Sequence, residues 1–209
     1  QEVNIVDIVK PITKMAVMVT NPLDIKYYLD KSVYLALNGR PGPVWLDIPL
    51  DVQGAVIDES QLREFSPEEL EEKKPQIKRE EVELLTTKLQ EAKSPVIYVG
   101  NGVRLAGRVE QFLSIAESLG VPVVTAISGS DIIWHDHPLC FGKPGICGDR
   151  IGNIMVQNSD LLVVIGTRLS IRQISYAYDL LAPKAYKVMV DIDANELKKP
   201  TLSIDLPIH

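Results

Sequence analysis

The chain has 209 residues and a formal net charge of −6 at pH 7, a length that suits one large domain or one domain plus part of another. Hydrophobic residues make up 45% and charged residues 24%, which argues against collagen, coiled coil and intrinsic disorder. The acidic balance disfavours nucleic acid as a partner, and no apolar run reaches the roughly 18 residues of a membrane span. Two cysteines cannot form a disulfide scaffold, so we expect a reducing, cytoplasmic location.

The first stretch of the chain, residues 1–53, predicts one helix and one strand. The helix is expected over residues 21–38, because Asn21 and Pro22 are typical of a helix start and a glycine follows the last helical residue. A turn rich in proline and glycine then leads to a short, mostly apolar strand at residues 44–48.

Residues 54–77 are dominated by glutamate and lysine and contain few apolar side chains. This composition predicts an exposed linker. The alternative is a short solvated helix from Pro67 to Lys74. Neither interpretation gives the segment any chemistry.

The third stretch, residues 78–209, alternates between helical and strand patterns. The predicted helices cover 79–92, 107–119, 151–157 and 195–199, and the predicted strands cover 96–99, 121–125, 161–165 and 186–192. Strands such as 161–165 are apolar throughout, which is typical of parallel strands buried on both faces. We therefore predict an α/β fold with a doubly wound, Rossmann-like parallel sheet in this stretch, preceded by a partial α/β domain.

Candidate binding residues lie in the loops that follow these strands, where doubly wound sheets bind their ligands. Gly100 and Gly102 follow the first strand, and the absence of side chains there lets a phosphate or a ring approach the backbone. A tight strand-to-helix turn explains the same two glycines equally well. The third glycine of the dinucleotide fingerprint is missing, because Leu105 stands in its place.

Charged residues follow two later strands. Arg168 and Arg172 could hold a diphosphate, although two solvated surface arginines are the simpler interpretation. Asp191, Asp193 and Glu196 follow the last predicted strand, where an acid often binds a ribose hydroxyl. The alternative is that Asp193 and Glu196 cap the following helix.

The residues alone predict neither a catalytic nor a metal site. His135, Asp136 and His137 precede Cys140 and Cys147, but the spacing fits no common zinc pattern. The sequence contains no Gly-x-Ser-x-Gly elbow and no Gly-x-x-x-x-Gly-Lys phosphate loop.

Several strings nevertheless resemble one known family, the thiamine-diphosphate-dependent enzymes, and in particular acetolactate synthase large subunits. Residues 1–53 resemble the closing part of the pyrimidine-binding domain of these enzymes, through Gln1-Glu2, Pro11–Lys14 and above all the string from Gly39 to Pro49. Residues 95–209 resemble their central domain, and residues 54–77 match the linker between the two domains. The strings that carry the central-domain resemblance are Tyr98–Gly102, His137-Pro138, Gly142–Gly145, Asn158–Leu162, Gly166–Arg168 and Asp191–Asp193.

The resemblance implies a thiamine-diphosphate- and Mg²⁺-dependent decarboxylase or carboligase that acts on a small 2-keto acid. In that family, the glutamate that activates the cofactor and the motif that holds Mg²⁺ and the diphosphate lie outside the matched parts. We therefore assign no catalytic and no metal-binding residue to this chain, and we expect it to be an inactive fragment of a longer enzyme. The family also implies a homodimer or homotetramer.

Acetolactate synthases hold FAD in the central domain, so the resemblance implies a flavin site here. Two alternatives stay open: a non-catalytic module that binds FAD or an adenine nucleotide, and a structural spacer without a ligand. The residues that match the family's flavin neighbours are Arg40, Gly100, Gly102, Thr125, Gly166, Arg168, Arg172, Asp191, Asp193 and Glu196.

Overall fold

The computed structural model describes residues 3–70 and 75–209, and the chain divides into two compact units, Gln1–Lys74 and Pro75–His209. This boundary falls within the predicted linker, three residues before its expected end. Gln1-Glu2, which contributed to the family resemblance, and residues 71–74 of the linker lie outside the described residues.

The first unit contains a small parallel sheet of two strands. Its strands are β1 (Ala16–Met18) and β2 (Trp45–Asp47), and its helices are α1 (Ile5–Val9), α2 (Ile25–Leu37) and α3 (Leu50–Gln53). Asn21 caps the predicted helix as expected, because its side chain accepts a hydrogen bond from the N–H of Leu23 at 3.2 Å. The first turn, Pro22–Asp24, is a 3₁₀ turn, and the α-helix begins at Ile25.

The segment expected to be an exposed linker is anchored to the first unit over residues 54–70. The ring of Phe65 lies edge-on to that of Tyr27, with centroids 5.8 Å apart, and the guanidinium of Arg63 lies 3.7 Å from the centre of the Tyr27 ring. The Tyr27 hydroxyl donates to Glu69 at 3.0 Å. Most side chains of the segment are exposed, but these contacts with α2 hold it in place.

The second unit is built on a five-stranded, wholly parallel sheet in the order β4-β3-β5-β6-β7. This confirms the predicted doubly wound α/β fold. The strands are β3 (Pro95–Val99), β4 (Val123–Thr125), β5 (Leu161–Ile165), β6 (Tyr186–Val190) and β7 (Leu206–Ile208). The helices are α4 (Arg79–Glu91), α5 (Gly102–Leu105), α6 (Val109–Leu119), α7 (Arg150–Asn158), α8 (Ile171–Ile174) and α9 (Ala194–Lys198).

Two hydrophobic clusters lie on opposite faces of this sheet. Val96 and Tyr98 of β3 point into one cluster, which includes Val156 of α7, whereas Ile97 and Val99 point into the other, which includes residues of α6. Alternate residues of a strand point to opposite faces, and here both faces are covered by helices. This is why the central strands are apolar throughout.

The structure corrects two predicted elements of the second unit. The helix predicted at 107–119 is α6, which begins only at Val109 because Gly107 adopts a φ of +65° before it, and the short helix α5 on the other side of Gly107 was not predicted. Strand β7 was not predicted at all, and it contains Pro207 opposite Met189 at the outer edge of the sheet. No helix among residues 3–70 and 75–209 is long and apolar enough to cross a membrane.

The opposite edge of the sheet is covered by the chain itself. The N–H of Val123 in β4 donates to the carbonyl of Leu139 at 2.7 Å, and the N–H of Phe141 donates to the carbonyl of Val123 at 2.9 Å. The loop that follows β4 thus occupies part of the hydrogen-bonding positions of the edge strand.

Candidate functional site

The switch point of the sheet lies between β3 and β5. The chain leaves β3 toward β4 on one side and leaves β5 toward β6 on the other, and doubly wound folds bind ligands outside such a point. The structure brings three of the predicted site residues together there: Gly100 and Gly102 after β3, and Gly166 after β5. The N–H of Gly102 donates to the carbonyl of Gly166 at 2.9 Å.

These three glycines are required by the packing of the two loops against each other. A Cβ atom on Gly100 would lie 2.4 Å from Cβ of Thr167, and one on Gly102 would lie 2.6 Å from Cα of Gly166. The space left by the missing side chains is therefore filled by the opposite loop. The tight-turn interpretation of these glycines thus has a packing basis, and the ligand-binding interpretation stays a prediction.

Thr125 lies at the end of β4, beside Val99 of β3, and only 2% of its surface is exposed. Its N–H donates to the carbonyl of Gly142 in the long loop at 3.0 Å. This places Thr125 next to the glycine turn but away from the open surface.

Arg104, in α5, ties the loops after β3 and β4 to each other. Its guanidinium donates to the side chains of Asn101 and Asp131 and to the carbonyl of Ser128, the last at 3.1 Å. Sequence reasoning missed this residue, because two of its three partners lie 24 and 27 positions further along the chain.

The arginines after β5 lie on the surface at the same edge of the sheet. The side chain of Arg168 is 61% exposed, and its Nη1 lies 4.0 Å from Oε1 of Glu196 in α9. Lys199 approaches the same carboxylate at 3.2 Å and also donates to the backbone carbonyl of Arg168. Arg172, in α8, is exposed as well, and its backbone carbonyl accepts from the N–H of Ile146 at 3.0 Å.

The acids after β6 have structural partners of their own. Asp193 caps α9 by accepting from the N–H of Asn195 at 2.9 Å, and Asp191 accepts from the N–H of Asp193 at the same distance. The helix-capping alternative thus applies to Asp193. Arg40 lies exposed in the turn after α2, in the first unit.

A cavity of about 170 Å³ lies between β3, α7 and α8, and we call it the Tyr98 cavity. The Tyr98 hydroxyl donates to the carbonyl of Pro144 at 3.3 Å and accepts from Nε2 of Gln173 at 3.2 Å. Burial raises the pKa of Tyr98 to about 12. The only sequence signal for this cavity was the presence of a tyrosine in an otherwise aliphatic strand. The cavity is lined by Tyr98, Pro144, Gly145, Ile146, Asn153, Val156, Gln157, Gln173, Ile174, Ser175 and Leu181.

The histidine- and cysteine-bearing loop has structural contacts. Nε2 of His137 lies 3.1 Å from a carboxylate oxygen of Glu117, and its Nδ1 accepts from the N–H of Leu139. Cys140 and Cys147 are free thiols. Within residues 3–70 and 75–209, no three His, Cys, Asp or Glu side chains are grouped closely enough to hold a metal ion.

A family model described as "Thiamine pyrophosphate enzyme, central domain" matches residues 82–209, which is most of the second unit. The chain belongs to the thiamine pyrophosphate enzyme family. This confirms the resemblance on which the family assignment was based. Thiamine pyrophosphate is the same compound as thiamine diphosphate.

Curated relatives of this thiamine pyrophosphate enzyme chain match it along its whole length. It is 37% identical to the acetolactate synthase large subunit of Corynebacterium glutamicum, covering 100% of the chain and 33% of that protein. It is 34% identical to the acetolactate synthase isozyme 1 large subunit of Escherichia coli K12, and 32% identical to a probable acetolactate synthase large subunit of Methanocaldococcus jannaschii. These matches cover 100% of the chain, and 36% and 35% of the two proteins. The chain thus spans about a third of the length of the relatives it matches.

Proposed function

We propose that the chain is part of a thiamine-diphosphate- and Mg²⁺-dependent enzyme that decarboxylates a small 2-keto acid or joins it to a second carbonyl compound, as in an acetolactate synthase. The observation that carries this proposal is the match to acetolactate synthase large subunits over both units, rather than over the central domain alone. In such enzymes the cofactor supplies the electron sink, and the protein supplies position and electrostatics.

The described residues do not themselves fit thiamine diphosphate and its metal ion. The nearest sequence candidate is Asp149, which follows a glycine, but its carboxylate accepts from the N–H of Lys143 at 2.8 Å and helps to hold the loop closed. A Cβ on Gly142 would lie 2.5 Å from the same carboxylate. We therefore propose that the cofactor is held by segments other than these, and that the second unit acts as a rigid support.

The first unit exposes an apolar face that the rest of its own domain or another subunit would cover. One face of α2 exposes Leu29, Val33 and Leu37, which are 46%, 60% and 70% exposed and follow one another at intervals of four residues. Such an apolar stripe is normally covered in the assembled protein. We propose that the enzyme is a homodimer or a homotetramer, which light scattering on the protein as it occurs in the cell would test.

A second candidate role is the binding of FAD or an adenine nucleotide at the carboxyl edge of the five-stranded sheet. Arg168 and Arg172 provide exposed cations of the kind that a diphosphate requires, and Asp191 and Asp193 provide acids in the segment that follows the neighbouring strand, β6. In this proposal, the cations of the loop after β5 and the acids after β6 make the polar contacts with the ligand.

The enzymatic proposal is tested by assaying the protein as it occurs in the cell with pyruvate and 2-oxobutyrate. We expect release of CO₂ that depends on both thiamine diphosphate and Mg²⁺. Absence of thiamine diphosphate binding, together with no turnover of either keto acid, would refute the proposal.

The nucleotide role is tested separately, by visible absorbance of the purified protein and by titration with FAD. The Arg168→Ala variant should bind FAD about tenfold more weakly, whereas Arg79→Ala, which removes an exposed arginine on α4, should not change the affinity. A colourless protein whose FAD affinity is the same in both variants would refute the nucleotide role. The remaining alternative would then be a structural spacer without a ligand.

A further inference from the structure

The loop that follows β5 carries one exposed cation between two buried side chains. Thr167 and Leu169 are only 7% and 2% exposed, whereas the side chain of Arg168 between them is 61% exposed. Leu169 adopts a φ of +48°, a left-handed conformation that is strained for a residue other than glycine. Such a conformation persists only where its surroundings hold it. The neighbours of this loop must therefore supply contacts that fix its backbone.

The side-chain amide of Gln173, in α8, supplies such contacts. Its Oε1 accepts from the N–H of Ser170 at 2.8 Å, and its Nε2 donates to Oγ1 of Thr167 at 3.0 Å. The same Nε2 donates to the Tyr98 hydroxyl at 3.2 Å. Tyr98 is fully buried in β3, the strand that pairs with β5 at the switch point. Gln173 thus fixes the loop after β5 to the centre of the sheet.

Lys199, which follows α9, holds the same loop in a different way. Its ammonium group donates to the backbone carbonyl of Arg168 and lies 3.2 Å from a carboxylate oxygen of Glu196. Because Lys199 is itself a cation beside Arg168, its removal would change the local charge as well as the loop. Gln173 is neutral, and both the oxygen and the nitrogen of its amide have protein partners. An effect of Gln173 on the affinity for an anion should therefore arise through the loop.

We infer that Gln173 is a positioning residue for the diphosphate of a bound FAD or adenine nucleotide. This inference rests on the nucleotide role proposed above for the carboxyl edge of the sheet. The bonds of Gln173 to Thr167 and Ser170 fix the backbone on both sides of the exposed Arg168. Ser170 also directly precedes α8, the helix that carries Arg172. The backbone that bears both cations is thus ordered before the ligand binds, which raises affinity without a further contact to the ligand.

The test measures FAD binding by the protein as it occurs in the cell, with flavin fluorescence as the signal. We expect Gln173→Leu to bind FAD about tenfold more weakly than the wild type, because the competent loop conformation becomes less populated. Thr167→Val keeps the β-branched shape but removes one partner of Gln173, and it should weaken FAD about threefold. This second variant allows the test to be made even if Gln173→Leu does not fold.

The matched control is Gln157→Leu. It also removes an amide that bonds to the backbone of the second unit, but the partner is the N–H of Ala182, at 3.2 Å, rather than the loop after β5. We expect the FAD affinity of this variant to equal that of the wild type.

A double variant separates positioning from a general loss of stability. In an Arg168→Ala background, one of the two cations to be positioned is already missing, so adding Gln173→Leu should weaken FAD only about threefold further. A further tenfold loss, or an unchanged affinity of Gln173→Leu and Thr167→Val in the presence of Arg168, would overturn the positioning role alone. A wild-type protein that does not bind FAD would instead refute the nucleotide role, and this inference with it.

Discussion

The contact between the two loops at the switch point can be tested by adding one methyl group at Gly102. In the Gly102→Ala variant, the new Cβ would lie 2.6 Å from Cα and 2.9 Å from the carbonyl oxygen of Gly166. Ordinary contacts begin at about 3.4 Å, so backbone rather than a flexible side chain must move by about 0.8 Å. Overpacking of this kind costs about 1–3 kcal/mol. For a unit of this size, the thermal unfolding temperature should fall by roughly 3–15 °C.

The matched control is Gly54→Ala. Gly54 has a φ of −87°, and the nearest atom to an added Cβ lies at 3.5 Å, so alanine fits there. We expect this variant to be as stable as the wild type or slightly more stable, because alanine lowers the entropy of the unfolded chain. Calorimetry on both variants checks the prediction. If Gly102→Ala kept the wild-type unfolding temperature and lost only cofactor affinity, the loop-packing explanation of this glycine would be refuted.

Three further predictions concern the second unit. Tyr98→Phe should destabilise the protein by about 1–2 kcal/mol at neutral pH, because Gln173 loses an acceptor; calorimetry measures this loss. Burial raises the pKa of Tyr98 from 10.0 to about 12. The free energy of unfolding of the wild type should therefore fall by about 2–3 kcal/mol between pH 10 and 12, and that of Tyr98→Phe should not; denaturant titrations measure both. Ser175→Gly should stabilise by about 1 kcal/mol in thermal unfolding by relieving the positive φ, whereas Ser175→Ala should give no gain. Burial acts to raise the pKa of Asp160, but hydrogen bonds from backbone N–H groups, including that of Lys93, lower it on balance. Asp160→Ala should therefore lower the unfolding temperature at neutral pH, and this difference should shrink as the pH falls below the ordinary value of 3.8 and Asp160 becomes protonated.

The central strands could be predicted because a continuous apolar run is by itself typical of a strand that is buried on both faces. Leu161–Ile165 is buried on both faces, and its sequence contains little else but large aliphatic residues. Strands β1 and β7 are only three residues long, and β7 contains a proline, so neither has a local pattern that distinguishes it from a loop. These short strands form through pairing with partners that the local sequence does not reveal.

The position of the loops that carry the candidate residues could be predicted, but the contacts between these loops could not. The loops after β3 and β5 were expected at one edge, and they lie there. That Gly102 faces Gly166 could not be deduced, because the two residues are 64 positions apart and only the folded sheet brings them into contact. For Asp193 the sequence left two roles open, and the hydrogen bond to the N–H of Asn195 shows that it caps α9.

Both borders of the five-stranded sheet carry features that oppose the addition of another strand. Pro207 in β7 has no N–H to donate, and the loop around Leu139–Phe141 already bonds to Val123 of β4. These features remove main-chain hydrogen-bonding positions from part of each border. They therefore lower the tendency of this unit to extend its ladder with a second copy.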